Sequence, residues 1–421
     1  MENSNFENYI VSLCVQFIFL DFLGIKSKKV ITFLDFIPEI HKILYIIYMI
    51  IKRHLEKSIE KMLHAKKVLI LLGARQVGKT TLLRELFERK KDAEWLNGDE
   101  QDTHEFFKNI SAIRLRHYFK DKKFLIIDEA QNIEDIGTKL KLIADNVEHL
   151  HVIATGSSAF EIANKTNEPL TGRKWEYRMY PLSFSEMAEH NGLLSEKRML
   201  PHRLVYGYYP EIVNNFGNEK GILKQLSDSY LYKDILKWEG IQKPDKLLKL
   251  LQALAYQIGS QVSFSELGQI VGLDSKTVEK YIVLLEQCFV IFRLNSFSRN
   301  LRNELKNSKK IYFYDLGIRN ALIANFSDIS TRQDVGAMWE NFVISERKKK
   351  LEYSGIWKNC WFWRTKQQQE IDYLEEGDGC LNGYEIKWNP KAKVKGKNSF
   401  LTSYKNSSFE VIDKSNIEDF L

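Results

Sequence analysis

The stretch Gly73-Ala74-Arg75-Gln76-Val77-Gly78-Lys79-Thr80 fits G-x-x-x-x-G-K-[ST], a loop that wraps phosphate. Its flanks suit that pattern. The apolar run Val68 to Leu72 precedes it and has the character of a strand buried on both faces. Thr81 follows, and then Leu82, Leu83 and Leu86 fall at helical spacing. The loop thus lies between a strand and a helix, the context that confirms the motif.

The residue types carry a chemistry. Gly73 and Gly78 let the backbone take conformations that a side chain would block. The N–H groups from Gly73 to Thr81 then converge on phosphate oxygens at the positive end of a helix. Lys79 reaches the β- and γ-phosphates as a point charge, and Thr80 offers its hydroxyl to Mg²⁺. ATP and Mg²⁺ are therefore the expected cofactors. A second apolar strand, Phe124 to Ile127, ends in Asp128 and Glu129. It lies about fifty residues after the loop lysine, and the pairing of the two motifs is more specific than either alone. Asp128 is placed to hold the magnesium ion, directly or through water, and Glu129 to polarise an attacking water as general base.

Val152 to Thr155 reads as a third strand, and Thr155 and Ser157 are hydroxyls that either sense the γ-phosphate or merely begin a turn. Arg173 is either an arginine finger, in cis or lent to a neighbouring subunit of a homo-oligomer, or a surface arginine before a strand.

The bulk properties exclude little. A length of 421 residues suggests two to four domains. The net charge of +7 admits a nucleic-acid or membrane-surface partner without demanding one. Cys14, Cys288, Cys360 and Cys380 lie far apart and read as reduced thiols of a cytoplasmic protein. The apolar run Tyr9 to Leu20 stops at Asp21, short of the roughly 20 residues that span a bilayer, so no stable membrane span is expected. Residues 1–48 are either a membrane-associated or partner-binding extension, or a segment appended before a module that begins at Met49. The second reading is preferred.

Further along, residues 191–240 are expected to be mostly helical, with a break at Tyr206 to Pro210. Residues 241–298 have helix-turn-helix grammar with a wing. A helix over Ser265 to Ile270 and a turn at Val271 to Leu273 precede a second helix capped by Asp274 or Ser275, and a strand follows over Phe289 to Leu294. Ser275, Lys276, Thr277 and Lys280 would face DNA, but Glu279 and Glu286 share that helix, so a protein contact is weighed equally.

Residues 299–421 hold Asp372 and then Glu385-x-Lys387, the D…E-x-K spacing of restriction-endonuclease-like cores. Asp372 and Glu385 on neighbouring strands could share a second divalent metal, and Lys387 could stabilise an attacking hydroxide. Glu340 on the preceding helix could complete the set. Solvated strand faces give the same letters by chance. Arg364, Lys366, Lys391, Lys393, Lys395 and Lys397 suit a phosphate backbone or a solvated tail equally.

GARQVGKTTLL, LIIDEAQ, VIATGSSA and the TGR…YPLSFSE segment together resemble the AAA-type P-loop ATPases of bacteria and archaea that carry an uncharacterised carboxy-terminal domain. The resemblance runs from about Met49 to the end. It implies a parallel sheet with an extra strand between the phosphate loop and the acidic strand, and it implies Glu129 as the catalytic base. It also implies a small helical lid at 191–240 and a carboxy-terminal domain similar to the nuclease fold. The expected fold is thus an α/β P-loop NTPase domain at 49–190, the lid, a winged-helix-like module and a restriction-endonuclease-like α/β domain. Two functions follow. One is a magnesium-dependent ATPase acting on DNA, with Asp372, Glu385 and Lys387 cutting phosphodiesters. The other is an ATP-controlled switch whose carboxy-terminal half only binds a partner.

Overall fold

The computed structural model describes residues 50–63, 66–157, 170–230, 243–298 and 308–421. The chain divides into two compact units, residues 1–52 and 53–421. Every strand and helix of the described residues lies in the second. Readings that fall on residues 1–48 and on 231–240 lie outside the described residues.

The first sheet has five strands: β1 (Val68–Gly73), β2 (Ala93–Asn97), β3 (Phe124–Asp128), β4 (His151–Gly156) and β5 (Lys174–Met179). All are parallel, in the order β2-β3-β4-β1-β5. β1 is buried at all six residues, as a strand covered on both faces must be. β4 lies between β1 and β3, so the extra strand implied by the resemblance is present. Leu72 faces Gly156 and Ile127 faces Ala154 across β4. The carboxyl ends of β1, β3 and β4 therefore open on one crevice, where ligands of such sheets bind.

Beyond β5 come four helices, Phe184–Asn191, Leu193–Tyr206, Pro210–Asn214 and Glu219–Tyr230. The expected break falls at Gly207, whose φ of 78° favours glycine, and Pro210 opens the next helix at its first turn.

The second sheet has seven strands: β6 (Gln261–Val262), β7 (Ile291–Ser296), β8 (Lys309–Phe313), β9 (Asn359–Arg364), β10 (Glu370–Gly377), β11 (Cys380–Ile386) and β12 (Ser407–Ile412). Their order is β12-β11-β10-β9-β7-β8-β6. β7 pairs with β9 and β11 with β12 in parallel, and the other neighbours are antiparallel. Helices Phe264–Val271 and Ser275–Gln287 lie between β6 and β7. The Asp274 carboxylate accepts the Lys276 and Thr277 N–H groups at 3.0 Å each and so starts the second of these helices. Phe297, Trp363, Ile371, Leu374, Leu381 and Phe400 form one apolar core on this sheet.

A 19-residue helix, Val335–Tyr353, is buried along most of its length and packs among these parts. Among the described residues no helix is long and apolar enough to cross a membrane.

Candidate functional site

The loop between β1 and helix Lys79–Phe87 needs both of its glycines. A Cβ on Gly73 would stand 2.2 Å from the Met179 carbonyl oxygen of β5. Gly78 has φ of 96°, a conformation that L side chains rarely adopt. Lys79 is buried, and its Nζ donates to the Gly73 and Ala74 carbonyls at 2.8 Å each. The ammonium is thus folded over the loop whose backbone it would share with phosphate.

Thr80 Oγ1 donates to Asp128 Oδ2 at 2.8 Å, which brings the loop and β3 together. A hydroxyl and a carboxylate side by side are the hard oxygen donors magnesium takes, and magnesium usually uses one or two carboxylates with substrate phosphates. Thr80 and Asp128 fit that ion. An open cavity of about 300 Å³ lies beside them, lined by Thr80, Arg84, Trp95, Asn97 and Asp128 among others.

Thr155 ties the two acids together. Its hydroxyl donates to Asp128 Oδ1 and accepts the Glu129 N–H at 3.1 Å. Glu129 has φ of 48°, left-handed for a residue with a side chain. Strained backbone of this kind costs about 1–3 kcal/mol and clusters at functional sites. Gln131 Nε2 donates to Glu129 Oε2 and also contacts Ser157 Oγ at 3.4 Å. Among the described residues, Gln131, which sequence reading passed over, thus lies between Ser157 and Glu129. The DEAQ string placed it two residues after the glutamate, and that spacing was the available signal.

Arg173 stands elsewhere. Its backbone carbonyl accepts the Val68 N–H, at the start of β1. The loop begins at the other end of that strand, about 17 Å away at a rise of about 3.3 Å per residue. Its guanidinium pairs with Asp145 at 2.8 Å. The parallel register thus puts this residue at the amino-terminal end of the strands, away from the loop.

In the second sheet Asp372 on β10 and Glu385 on β11 lie together, one step beyond the Tyr373–Tyr384 pair. Lys387 Nζ lies 2.6 Å from Glu385 Oε1 and 3.6 Å from Asp372 Oδ2. The Ile386 N–H donates to Asp372 Oδ2 at 2.9 Å. Burial raises the Glu385 carboxyl, and the Asp372 charge raises it further. Burial lowers the Lys387 ammonium, but the Asp372 and Glu385 charges outweigh that and leave it raised.

Lys310, Tyr312 and Glu370 also join this cluster. Lys310 on β8 is buried and lies 2.9 Å from Glu340 Oε1 and 2.5 Å from Glu370 Oε1. Tyr312 OH donates to Glu340 Oε1 at 2.6 Å. Burial pushes the Glu340 carboxyl up to about 7, with Lys310 pulling it down and Asp372 pushing it up. Among the described residues no three His, Cys, Asp or Glu side chains converge as a metal would need. Lys310 and Lys387 each pair with two of the four acids here.

Ser275, Lys276 and Lys280 are exposed along helix Ser275–Gln287. The acids that share it face its own sheet: Glu286 pairs with Arg293 at 2.5 Å, and Glu279 lies 3.7 Å from Lys309. Arg364 lies 3.4 Å from Glu370, whereas Lys366, Lys391, Lys393, Lys395 and Lys397 are exposed.

Residues 65–188 match the family described as an AAA domain. Residues 197–330 and 335–417 match two domains of unknown function, DUF8612 and DUF4143. An uncharacterized protein of Mycobacterium tuberculosis is 24% identical over 345 residues, covering 80% of this chain and 74% of its own. An uncharacterized protein of Methanocaldococcus jannaschii is 22% identical over 352 residues, covering 77% and 75%. Among solved structures, Cdc6p from Pyrobaculum aerophilum aligns with a TM-score of 0.29 at 14% identity, over 64% of this chain and 91% of that one. A signal transduction ATPase with numerous domains from Pyrococcus horikoshii aligns with a TM-score of 0.29 at 11% identity, over 72% and 45%. The AAA match and the sheet order agree: residues 65–188 have an α/β P-loop NTPase fold, and its ligand is a nucleotide.

Proposed function

We propose that the protein binds ATP with magnesium, hydrolyses it, and uses that cycle to control a carboxy-terminal half that engages DNA. The carrying observation is that Lys79, Thr80, Asp128 and Glu129 meet at the carboxyl ends of β1 and β3. Magnesium, when bound, neutralises charge on the phosphate oxygens, and Thr80 and Asp128 would hold it. Lys79 exchanges two loop carbonyls for phosphate. Glu129 takes the proton of the attacking water, and Gln131 and Thr155 hold it in place. In a homo-oligomer Arg173 would serve the neighbouring subunit's site.

ATP turnover tests this directly. Lys79→Ala should lose nucleotide binding. Glu129→Gln should keep binding and lose roughly 10²–10⁴ in rate. Turnover that survives both changes removes the reading.

DNA contact is supported by the helix-turn-helix order of Phe264–Val271 and Ser275–Gln287, with the hairpin of β7 and β8 as wing. Glu286 is paired with Arg293 and Glu279 lies 3.7 Å from Lys309, which partly offsets the charge of these acids toward phosphate. Affinity for duplex DNA should fall as salt rises, and a flat response argues against backbone contacts.

A second reading has its own support. Lys310 and Lys387 each occupy two of the acids around Asp372, which favours a carboxy-terminal half that binds without cutting. DNA cleavage lost on Asp372→Ala would restore the nuclease reading. No cleavage by the wild type would uphold the binding one.

A further inference from the structure

Arg53 is almost wholly buried, and its guanidinium joins three separated parts of the chain. Nη1 donates to the Val77 carbonyl of the phosphate loop at 2.7 Å. Nη2 donates to the Tyr180 carbonyl beyond β5 at 2.7 Å and contacts the Tyr353 hydroxyl at 3.4 Å. Nε pairs with Glu186 Oε1 at 3.0 Å. Nothing in the nucleotide chemistry above uses this residue.

We infer that Arg53 is a positioning residue for the phosphate loop, and that it makes the loop's shape depend on helix Val335–Tyr353. The inference rests on the ATP reading and extends it to the control of that site. A peptide unit is planar and trans, so its C=O and N–H point in opposite directions. Holding the Val77 oxygen toward Arg53 therefore aims the Gly78 N–H away from it, into the loop. Gly78 is the residue at φ 96°, just before Lys79. A guanidinium presents a fixed fork of donors and keeps its charge when buried, so it can hold this peptide without changing state.

The other end of the fork is anchored in the carboxy-terminal half. The Tyr353 hydroxyl accepts the Tyr180 N–H at 3.0 Å. One turn earlier, Lys349 Nζ donates to the Leu182 carbonyl at 3.0 Å, and Glu346 Oε2 accepts the Phe184 N–H at 2.7 Å. The helix so fastened also carries Glu340, about 20 Å from Tyr353 at about 1.5 Å per residue. A loop that shifts on taking up phosphate pulls on Val77, and Arg53 passes that pull to the helix that reaches the acidic cluster.

The test uses the full chain, a fluorescent ATP analogue with magnesium, and hydrogen exchange of the peptide 335–353. Wild type should bind the analogue and change its exchange in that peptide. Arg53→Gln should lose at least tenfold in affinity, and Arg53→Lys, which cannot span the same partners, should lose most of that. Tyr353→Phe keeps the guanidinium and its Val77 hydrogen bond and should lose the nucleotide-dependent change in exchange. Should Arg53→Gln fail to fold, Arg53→Lys and Tyr353→Phe carry the test. A folded Arg53 variant that binds like wild type overturns the inference, as does an unchanged exchange response in Tyr353→Phe. In both cases nucleotide binding itself stands. A wild type that takes up no nucleotide sinks the ATP reading and this inference with it.

Discussion

Thr155 has no exposed surface, and its one hydroxyl serves both acids of the nucleotide site. Thr155→Val keeps the shape and deletes both hydrogen bonds. A buried polar group left unpaired costs about 1–3 kcal/mol, so urea melts should show a loss of that size. ATP turnover should fall while nucleotide affinity holds, because Lys79 and the loop are untouched. Equal loss of both would mean that the hydroxyl only supports the fold. Glu340 offers a pH test. Its carboxyl is pushed up to about 7 from a value of 4.5. Between those limits the folded chain holds a proton that the unfolded chain has released, so this group's contribution to stability falls as pH rises. The whole effect is about 3 kcal/mol at most. Glu340→Gln should remove it, and the stability gap between variant and wild type should change from pH 4.5 to 7.5. A constant gap would show the carboxyl to be ionised throughout. Lys79, Thr80, Asp128 and Glu129 were legible because one short motif fixes each. Arg53 and Lys310 were not, since their meaning lies in partners far along the chain, Glu186 for one and Glu340 and Glu370 for the other.

At the scale of elements, helix Phe184–Asn191 shows what local sequence can specify. Ser183 Oγ accepts the Glu186 N–H at 3.1 Å, and Glu186 Oε2 accepts the Ser183 N–H at 2.8 Å, a reciprocal capping box. Ser183→Ala should cost about 0.5–2 kcal/mol by chemical denaturation. Because Glu186 also pairs with Arg53, the same change should weaken nucleotide binding slightly, and a capping loss with no effect on binding would separate the two roles. Helix Val335–Tyr353 was harder to read. Glu346 and Lys349 look like a solvated face in the sequence, yet both are buried and bound to the segment that leads into the capped helix. Charge pattern could not reveal this, because burial of a charge depends on partners that only the fold supplies. The helix-turn-helix boundaries were readable from Asp274 and Gly272, whose capping roles are local.

Across the whole molecule, the parallel sheet followed from buried strands and their order, while the second sheet did not follow from its pieces. β7 pairs with β9 in parallel, Asn295 facing Trp361 and Ser296 facing Phe362. No short-range signal announces a pairing across that gap in sequence, and so the wing strands and the D…E-x-K strands read as separate modules. The pairing makes a testable claim about cooperativity. Phe297, next after β7, packs its ring 5.2 Å from Trp361 and 5.3 Å from Tyr404. It therefore belongs to the core beneath β9, β10 and β11. Phe297→Ala should cost about 3–5 kcal/mol through the cavity it leaves. If the seven strands unfold as one body, hydrogen exchange in β7 and β8 should accelerate together with that in β10 and β11. Loss of protection confined to β9–β12, with β7 and β8 still slow, would mean that the sheet is two units laid edge to edge. Cooperative unfolding has a functional corollary: a ligand held by the helix Ser275–Gln287, which packs on β7, should then slow exchange around Asp372 as well.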